Sequence, residues 1–267
     1  MYAFTFHRPA TARQAAGLLA KKEDAKLLAG GHTLLPTMKQ RLASPGALVD
    51  LGGCADLKGI ERKGRNVVIG AMTTHAEVAA SPLVQEAIPG LAYLASHIGD
   101  PHVRNRGTIG GSVANNDPAA DYPAACLALG ATIVTNKRKI GADEFFTGLY
   151  ETALEEGEII TKIAFPLASK AAYAKFRNPA SRYALVGVFV AKRGSDVRVA
   201  VTGAGEGGVF RWPEAEDALK TRFTAKSLDG LKASAKGINA DMHADAEYRA
   251  HLIGVMAKEA VARATGK

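Results

Sequence analysis

Apolar and polar positions alternate in short blocks along this chain, and each block predicts one element. "YAFTFHRPA" reads as a strand and "TARQAAGLLAKK" as a short amphipathic helix with Thr11 as N-cap. An apolar strand from Lys26 to Ala29 breaks at Gly30 and Gly31, and a helix is predicted from about Leu34. "GALVDLGG" and "NVVIGAMTT" read as short buried strands, and "HAEVAASPLVQEAIPGLAYLASHIG" as helices interrupted by prolines. "PAACLALG" fits a helix closed by Gly130, "ATIVTN" a strand, and "GEIITKIAFP" a strand ended by Pro166. Composition shifts at "LASKAA", which predicts a boundary near residues 166–172. Beyond it come strands at "YALVGVFVAK" and "VRVAVTGAG", then helices at "WPEAEDALKTR", "SLDGLKASAKG" and "EYRAHLIGVMAKEAVARAT". Strands followed by helices predict a separate α+β unit, and no repeat of solenoid period is visible.

Composition narrows the function classes. With 267 residues, 47% hydrophobic and 22% charged, the chain is an ordinary globular protein able to bury a sizeable core. No apolar run approaches the roughly 20 residues that cross a bilayer. The first residues lack the basic, apolar and small-residue order of a secretory signal, so a cytoplasmic location is expected. Cys54 and Cys126 are too few for an iron–sulfur cluster or an unaided zinc site, and read as free thiols. The net charge of +8 is scattered, with "KRK" at Lys137 to Lys139 its densest run. That pattern suits docking to an acidic partner or an anionic cofactor better than nucleic acid.

Two glycine-rich stretches carry the candidate chemistry. In "LLAGGHTLLPTMK", a strand ends in Gly30 and Gly31 before a helix opens at Thr33. Glycines there admit a phosphate without a Cβ clash, and the helix start favours an anion. A plain strand–helix turn would use the same glycines for their dihedral freedom. "RNRGTIGGSVANNDPAADYP" repeats the device with Gly110, Gly111 and Ser112. Asp117 and Asp121 are acceptors for sugar or ribityl hydroxyls, or else helix caps before Pro118 and Pro123. A third run, "GAGEGG" at Gly203 to Gly208, matches the dinucleotide fingerprint formally. A strand-like "VFRWP" follows where that fingerprint needs a helix, so it reads as a hairpin loop. No acid–base constellation is visible among the seven histidines, and no catalytic residue or metal ligand is assigned.

"LLAGGHTLLPTMKQRLASPGALVDL" followed by "RNRGTIGGSVANNDPAADYPAA" closely resembles the FAD-binding medium subunit of molybdenum hydroxylases, the carbon monoxide dehydrogenase and xanthine dehydrogenase family. "GEIITKIAFP", "AKFRNPASRYALVGVFVA" and "TGAGEGGVFRWPEAEDAL" extend the likeness over the whole chain. The resemblance implies an α+β fold: a two-part FAD-binding domain of the PCMH/vanillyl-alcohol-oxidase type over residues 1–168, with parts of about 1–55 and 56–168, then a smaller C-terminal α/β domain over 169–267. It implies that Leu27, Leu28, Ala29, Gly30, Gly31, His32, Thr33 and Leu34 line the pyrophosphate and adenosine side. Thr108, Ile109, Gly110, Gly111 and Ser112 would form the second loop, backed by Asn115 and Asp117, with Asp121 on a polar group of FAD. Ile98 and Ile160 would pack its apolar parts, Lys175 would place a cation near the flavin, and Tyr183 would lie against the ring. The implied complex adds a small subunit with [2Fe-2S] clusters and a large molybdopterin subunit, assembled as a dimer of heterotrimers. The share left to this chain is electron transfer to an acceptor. A self-contained FAD-dependent reductase and a nucleotide- or nucleic-acid-binding module without redox work are the competing readings.

Overall fold

The computed structural model describes residues 1–266, which form an α+β fold built on three main sheets. The chain opens with β1 (Thr5–His7), α1 (Ala12–Lys21), β2 (Ala25–Leu28), α2 (Leu34–Lys39) and β3 (Ala47–Asp50). Thr11 caps α1 as expected, its hydroxyl accepting from the Gln14 amide. The three strands pair in parallel in the order β1-β3-β2. Helical crossovers put successive strands in one direction. This leaves the carboxyl end of β2 pointing the Gly30–Gly31 loop away from the sheet.

The second sheet is antiparallel. Its strands are β4 (Ile60–Lys63), β5 (Asn66–Gly70), β6 (Thr132–Thr135) and β7 (Lys139–Gly141), joined later by β10 (Ile160–Pro166). The order is β4-β5-β10-β6-β7, with Ile163 facing Ile69 on one side and Ile133 on the other. Between β5 and β6 run α3 (His75–Ala80), α4 (Pro82–Ala87), α5 (Pro89–Ser96), α6 (Pro101–Arg104), α7 (Ile109–Asn115) and α8 (Tyr122–Leu129). Proline opens α4, α5 and α6 near their first turns, where its missing N–H costs nothing. Short α9 (Ala142–Phe145) leads into a hairpin of β8 (Phe146–Gly148) and β9 (Glu151–Thr152).

Every residue of α8 is buried, because it lies between that helical layer and the third sheet. This antiparallel sheet runs β11 (Lys170–Arg177), β12 (Ala184–Arg193), β13 (Asp196–Thr202) and β14 (Phe210–Arg211). On one face lie α5 and α8, and on the other α10 (Pro213–Thr221) and α11 (Ala246–Ala264). With both faces covered, β12 is continuously apolar and buried over Ala184 to Ala191. Tyr173, Phe189 and Ala200 of this sheet join the same core as Ile69, Leu91 and Ile133, so apolar packing fastens the C-terminal third to the rest.

The Gly203–Gly208 run is a hairpin loop, with Val201 paired to Phe210 and Ala200 to Arg211. One expectation needs correction. In "SLDGLKASAKG" only Ser227 and Leu228 are helical, as the end of a 3-10 turn at Ala225–Leu228. Gly230 and Gly237 then take φ of +79° and +77°, which a helix cannot include. The strand at Lys170–Arg177 begins inside the predicted boundary of 166–172.

Candidate cofactor-binding site

A cleft of about 660 Å³ opens where the β2–α2 loop, the α6–α7 segment and the loop before β12 converge. That volume is in the range of roughly 300–1,000 Å³ usual for cofactor clefts. Its wall includes Leu27, Ala29, Gly30, Gly31, His32, Thr33, Leu34, Ile98, Thr108, Gly110, Gly111, Ser112, Asn115, Asp117, Asp121, Ile160 and Tyr183. The two glycine stretches, some 75 positions apart by sequence number (31 against 107), are therefore brought to one site. Leu28, Ile109 and Lys175 lie outside the wall. Ile109 is wholly buried in the core, and the Lys175 side chain is 4% exposed behind Asp121.

The two loops differ in what their amides do. The amides of Gly30, Gly31, His32 and Thr33 have no hydrogen-bond partner among the described residues, and the loop is partly open to solvent. Gly31 has φ of +79°, a left-handed conformation that glycine adopts without strain. In the second loop the amides from Ile109 to Ser112 are all paired. Ile109 N–H donates to the Thr73 carbonyl (3.0 Å), Gly110 to Ala71 (2.8 Å) and Ser112 to Thr108 (3.0 Å). Gly111 N–H donates to the Thr108 hydroxyl at 3.2 Å, which caps α7. The glycines here serve packing: a Cβ on Gly110 would come 2.5 Å from Ala71 Cβ and 2.7 Å from its carbonyl oxygen. A Cβ on Gly30 would fall on the Arg106 carbonyl, 2.7 Å from Gly107 Cα. The close approach is between the two loops themselves.

Asp121 meets protein rather than capping α8: the Tyr173 hydroxyl donates to its Oδ1 at 2.5 Å and Lys175 Nζ to its Oδ2 at 3.0 Å. Lys175 also donates to the His97 carbonyl at 3.2 Å. The cation expected near a flavin is thus held by a carboxylate in the cleft wall. Burial, then the Asp121 charge, pushes the Tyr173 hydroxyl well above its ordinary pKa, so it stays a donor. Asp117 accepts from the Ala119 amide (2.9 Å) and from the Tyr150 hydroxyl (3.2 Å), pinning the β8–β9 hairpin at the cleft mouth. Tyr183, half exposed, has its hydroxyl pKa raised by partial burial and by the charges of Asp117 and Asp121.

Several wall residues were not foreseen, among them Lys26, Met72, His75, Val103, Glu158, Ser181 and Arg182. Burial alone would raise the pKa of Glu158. Hydrogen bonds from Arg138, the Glu155 amide and the Thr135 hydroxyl prevail and hold it at about 2. The His75 ring is almost completely buried, which lowers its pKa to about 4, helped by the charges of His32 and Arg104. For His75 the signal was the "TTHAE" capping box: Thr74 accepts from Glu77 N–H, and the Glu77 carboxylate accepts from Thr74 N–H.

Unpaired amides next to apolar walls of Leu27, Met72, Ile98, Ile159 and Ile160 fit a ligand with an anionic centre and flat, largely apolar ends. FAD has that build. Among the described residues, no helix is long and apolar enough to cross a membrane, and no group of His, Cys, Asp and Glu could hold a metal ion.

The family described as the FAD binding domain in molybdopterin dehydrogenase matches residues 2–168. The carbon monoxide dehydrogenase medium chain of Hydrogenophaga pseudoflava is 38% identical, covering 97% of this chain and 96% of that protein. The nicotine 6-hydroxylase medium subunit of Paenarthrobacter nicotinovorans is 37% identical over 98% and 97%. Among solved structures, reconstituted CO dehydrogenase from Oligotropha carboxidovorans superposes with a TM-score of 0.90 at 35% identity, covering 99% of this chain and 98% of that one. Similarity of this extent, together with a matching cleft, shows that the chain belongs to the family of FAD-binding medium subunits of molybdenum-containing dehydrogenases.

Proposed function

We propose that this chain holds FAD in the cleft and passes electrons from [2Fe-2S] clusters on a small partner subunit to an external acceptor. In this reading a large subunit carries the molybdopterin cofactor, the complex is a dimer of heterotrimers, and it works in the cytoplasm. The observation that carries the reading is the run of unpaired amides from Gly30 to Thr33 beside an apolar-walled cleft of cofactor size. When bound, FAD supplies a carrier that exchanges electrons with one- and two-electron partners. The chain's own residues bind and orient it. Gly30 to Thr33 face the diphosphate, and Leu27, Ile98 and Ile160 cover apolar parts. Ser112, Asn115 and Asp117 offer hydroxyl, amide and carboxylate groups to its sugar and ribityl hydroxyls, and Tyr183 flanks the ring at the mouth. Lys175 acts through Asp121, keeping that carboxylate fixed and its charge balanced in the wall. Residues 1–168 form the cofactor domain, in parts of about 1–55 and 56–168, and 169–267 the C-terminal domain.

The test is direct. Denaturing the purified protein should release FAD, one per chain, into the supernatant. Dithionite should bleach the bound flavin, and no organic substrate should do so until the two partner subunits are added. Release of FMN, a covalently flavinylated peptide, or rapid bleaching by NADPH without partners would sink the proposal, the last in favour of a self-contained reductase.

A further inference from the structure

His75 is a part of the cleft wall that neither glycine pair accounts for. Its amide donates to the Gly107 carbonyl at 3.0 Å, and its side chain leaves the residue 4% exposed. The ring edge lies against Gly107, where a Cβ would come 2.5 Å from His75 Nε2. Gly107 in turn abuts Gly30, so the imidazole, Gly107 and the start of the unpaired amide run form one continuous stretch of wall. On its far side the ring meets Tyr122, with centroids 5.3 Å apart. There the fully buried Nδ1 has no hydrogen-bond partner, and the Tyr122 hydroxyl, also without one, does not supply it.

A buried N–H without an acceptor is rarer, and costlier, than a lone pair without a donor. The neutral ring therefore keeps Nδ1 bare and carries its proton on Nε2, on the Gly107 side. Other groups facing the ring keep it neutral: the charges of His32 and Arg104 oppose its protonation, and the Tyr122 hydroxyl stays uncharged. We propose that His75 reads the cofactor, its Nε2–H donating to a phosphate oxygen of the FAD diphosphate. The inference rests on the FAD reading above. Phosphate is favoured over a flavin carbonyl because the donor adjoins the unpaired amides and a locally positive field. Gly107 then has a second reason to be glycine, since any side chain there would cover the donor.

The test uses protein stripped of FAD, titrated calorimetrically with FAD, ADP and riboflavin. His75→Leu should weaken FAD and ADP by roughly tenfold or more, the range of a hydrogen bond to a charged group, and leave riboflavin unchanged. His75→Gln, which returns an N–H near Nε2, should recover most of the loss. Equal weakening of all three ligands would mean that His75 only props Gly107, and unchanged affinities would mean that it touches nothing; either overturns the proposal. Should His75→Leu not fold, ¹⁵N NMR of the wild-type imidazole decides. Protonated Nε2, shifting on addition of ADP, supports the donor, whereas protonated Nδ1 overturns it. Wild-type protein that binds none of the ligands would fail the FAD reading itself, whereas tight wild-type binding with an indifferent His75→Leu fails this inference alone.

Discussion

The two glycine pairs look alike in sequence and do opposite work in space. Around Gly30 and Gly31 the amides are unpaired and the loop is partly open. Around Gly110 and Gly111 the amides from Ile109 to Ser112 are paired, Gly110 is buried, and the glycines let α7 press against the turn after β5. A Gly-Gly in sequence signals that something approaches the backbone closely; it does not say whether that is a ligand or the protein itself. Here the second loop is the mould that sets the first in place, because Arg106 and Gly107 leave room for Gly30 and no Cβ.

This contrast predicts unequal responses to the same substitution. Gly110→Ala places a methyl against the Ala71 backbone, which cannot rotate away, and should cost on the order of 4 kcal/mol or more. The FAD-free protein should melt far below wild type or fail to fold. Gly31→Ala meets only the flexible side chains of Leu35 and Leu28 but must hold φ of +79°, a cost of about 1–2 kcal/mol. It should fold, with its main defect in FAD retention. Thermal melts with and without FAD check both, and a Gly110→Ala protein as stable as wild type would dissolve the distinction between the loops.

Local signals made much of this fold legible. Thr11, Gly130 and Pro166 end or begin elements where their chemistry requires, and the decoy run at Gly203 was separable because no helix follows it. What sequence could not show was long-range pairing. Asp121 and Lys175 were each singled out as ligands, yet they lie 54 residues apart and hold one another. Glu158 escaped notice because its partner Arg138 sits 20 residues away across a hairpin. The β11 strand, "KAAYAKFR", was hidden by lysines and small residues. Its Tyr173 and Lys175 point to the carboxylate on α8's doorstep, and only the folded sheet reveals why.

Acid should sharpen the same contrast, because the second loop is braced by His75. Its folded pKa is about 4, against an ordinary 6.5, so the unfolded chain takes the proton first. The stability it contributes is complete above pH 6.5 and lost as pH falls through 4, amounting to roughly 3 kcal/mol. Glu158 adds a second, lower window: its contribution is present above about pH 4.5 and lost as pH falls through about 2. Denaturant titrations of FAD-free protein from pH 7.5 to 4 should show the first loss, and His75→Leu should flatten it. A wild-type stability that stays level across that range would rule out a buried neutral His75.

The smallest effect separates the two threonines that precede α2 and α7. Thr108 accepts from the Gly111 amide at 3.2 Å and is buried, so its hydroxyl satisfies one of the donors that every helix start leaves open. Thr33 makes no side-chain cap, and the Gly31, His32 and Thr33 amides near it remain unpaired. Thr108→Ala should therefore cost about 1 kcal/mol, a fall of about 2–4 °C in the melting temperature of FAD-free protein. Thr33→Ala should change it by no more than a few tenths of a kcal/mol. With FAD added the ranking should reverse for affinity, since Thr33 stands in the open loop at the cleft and Thr108 is turned inward to its own helix. Equal melting losses would show that Thr33 caps α2 in solution. The amides of the first loop would then be no freer than those of the second.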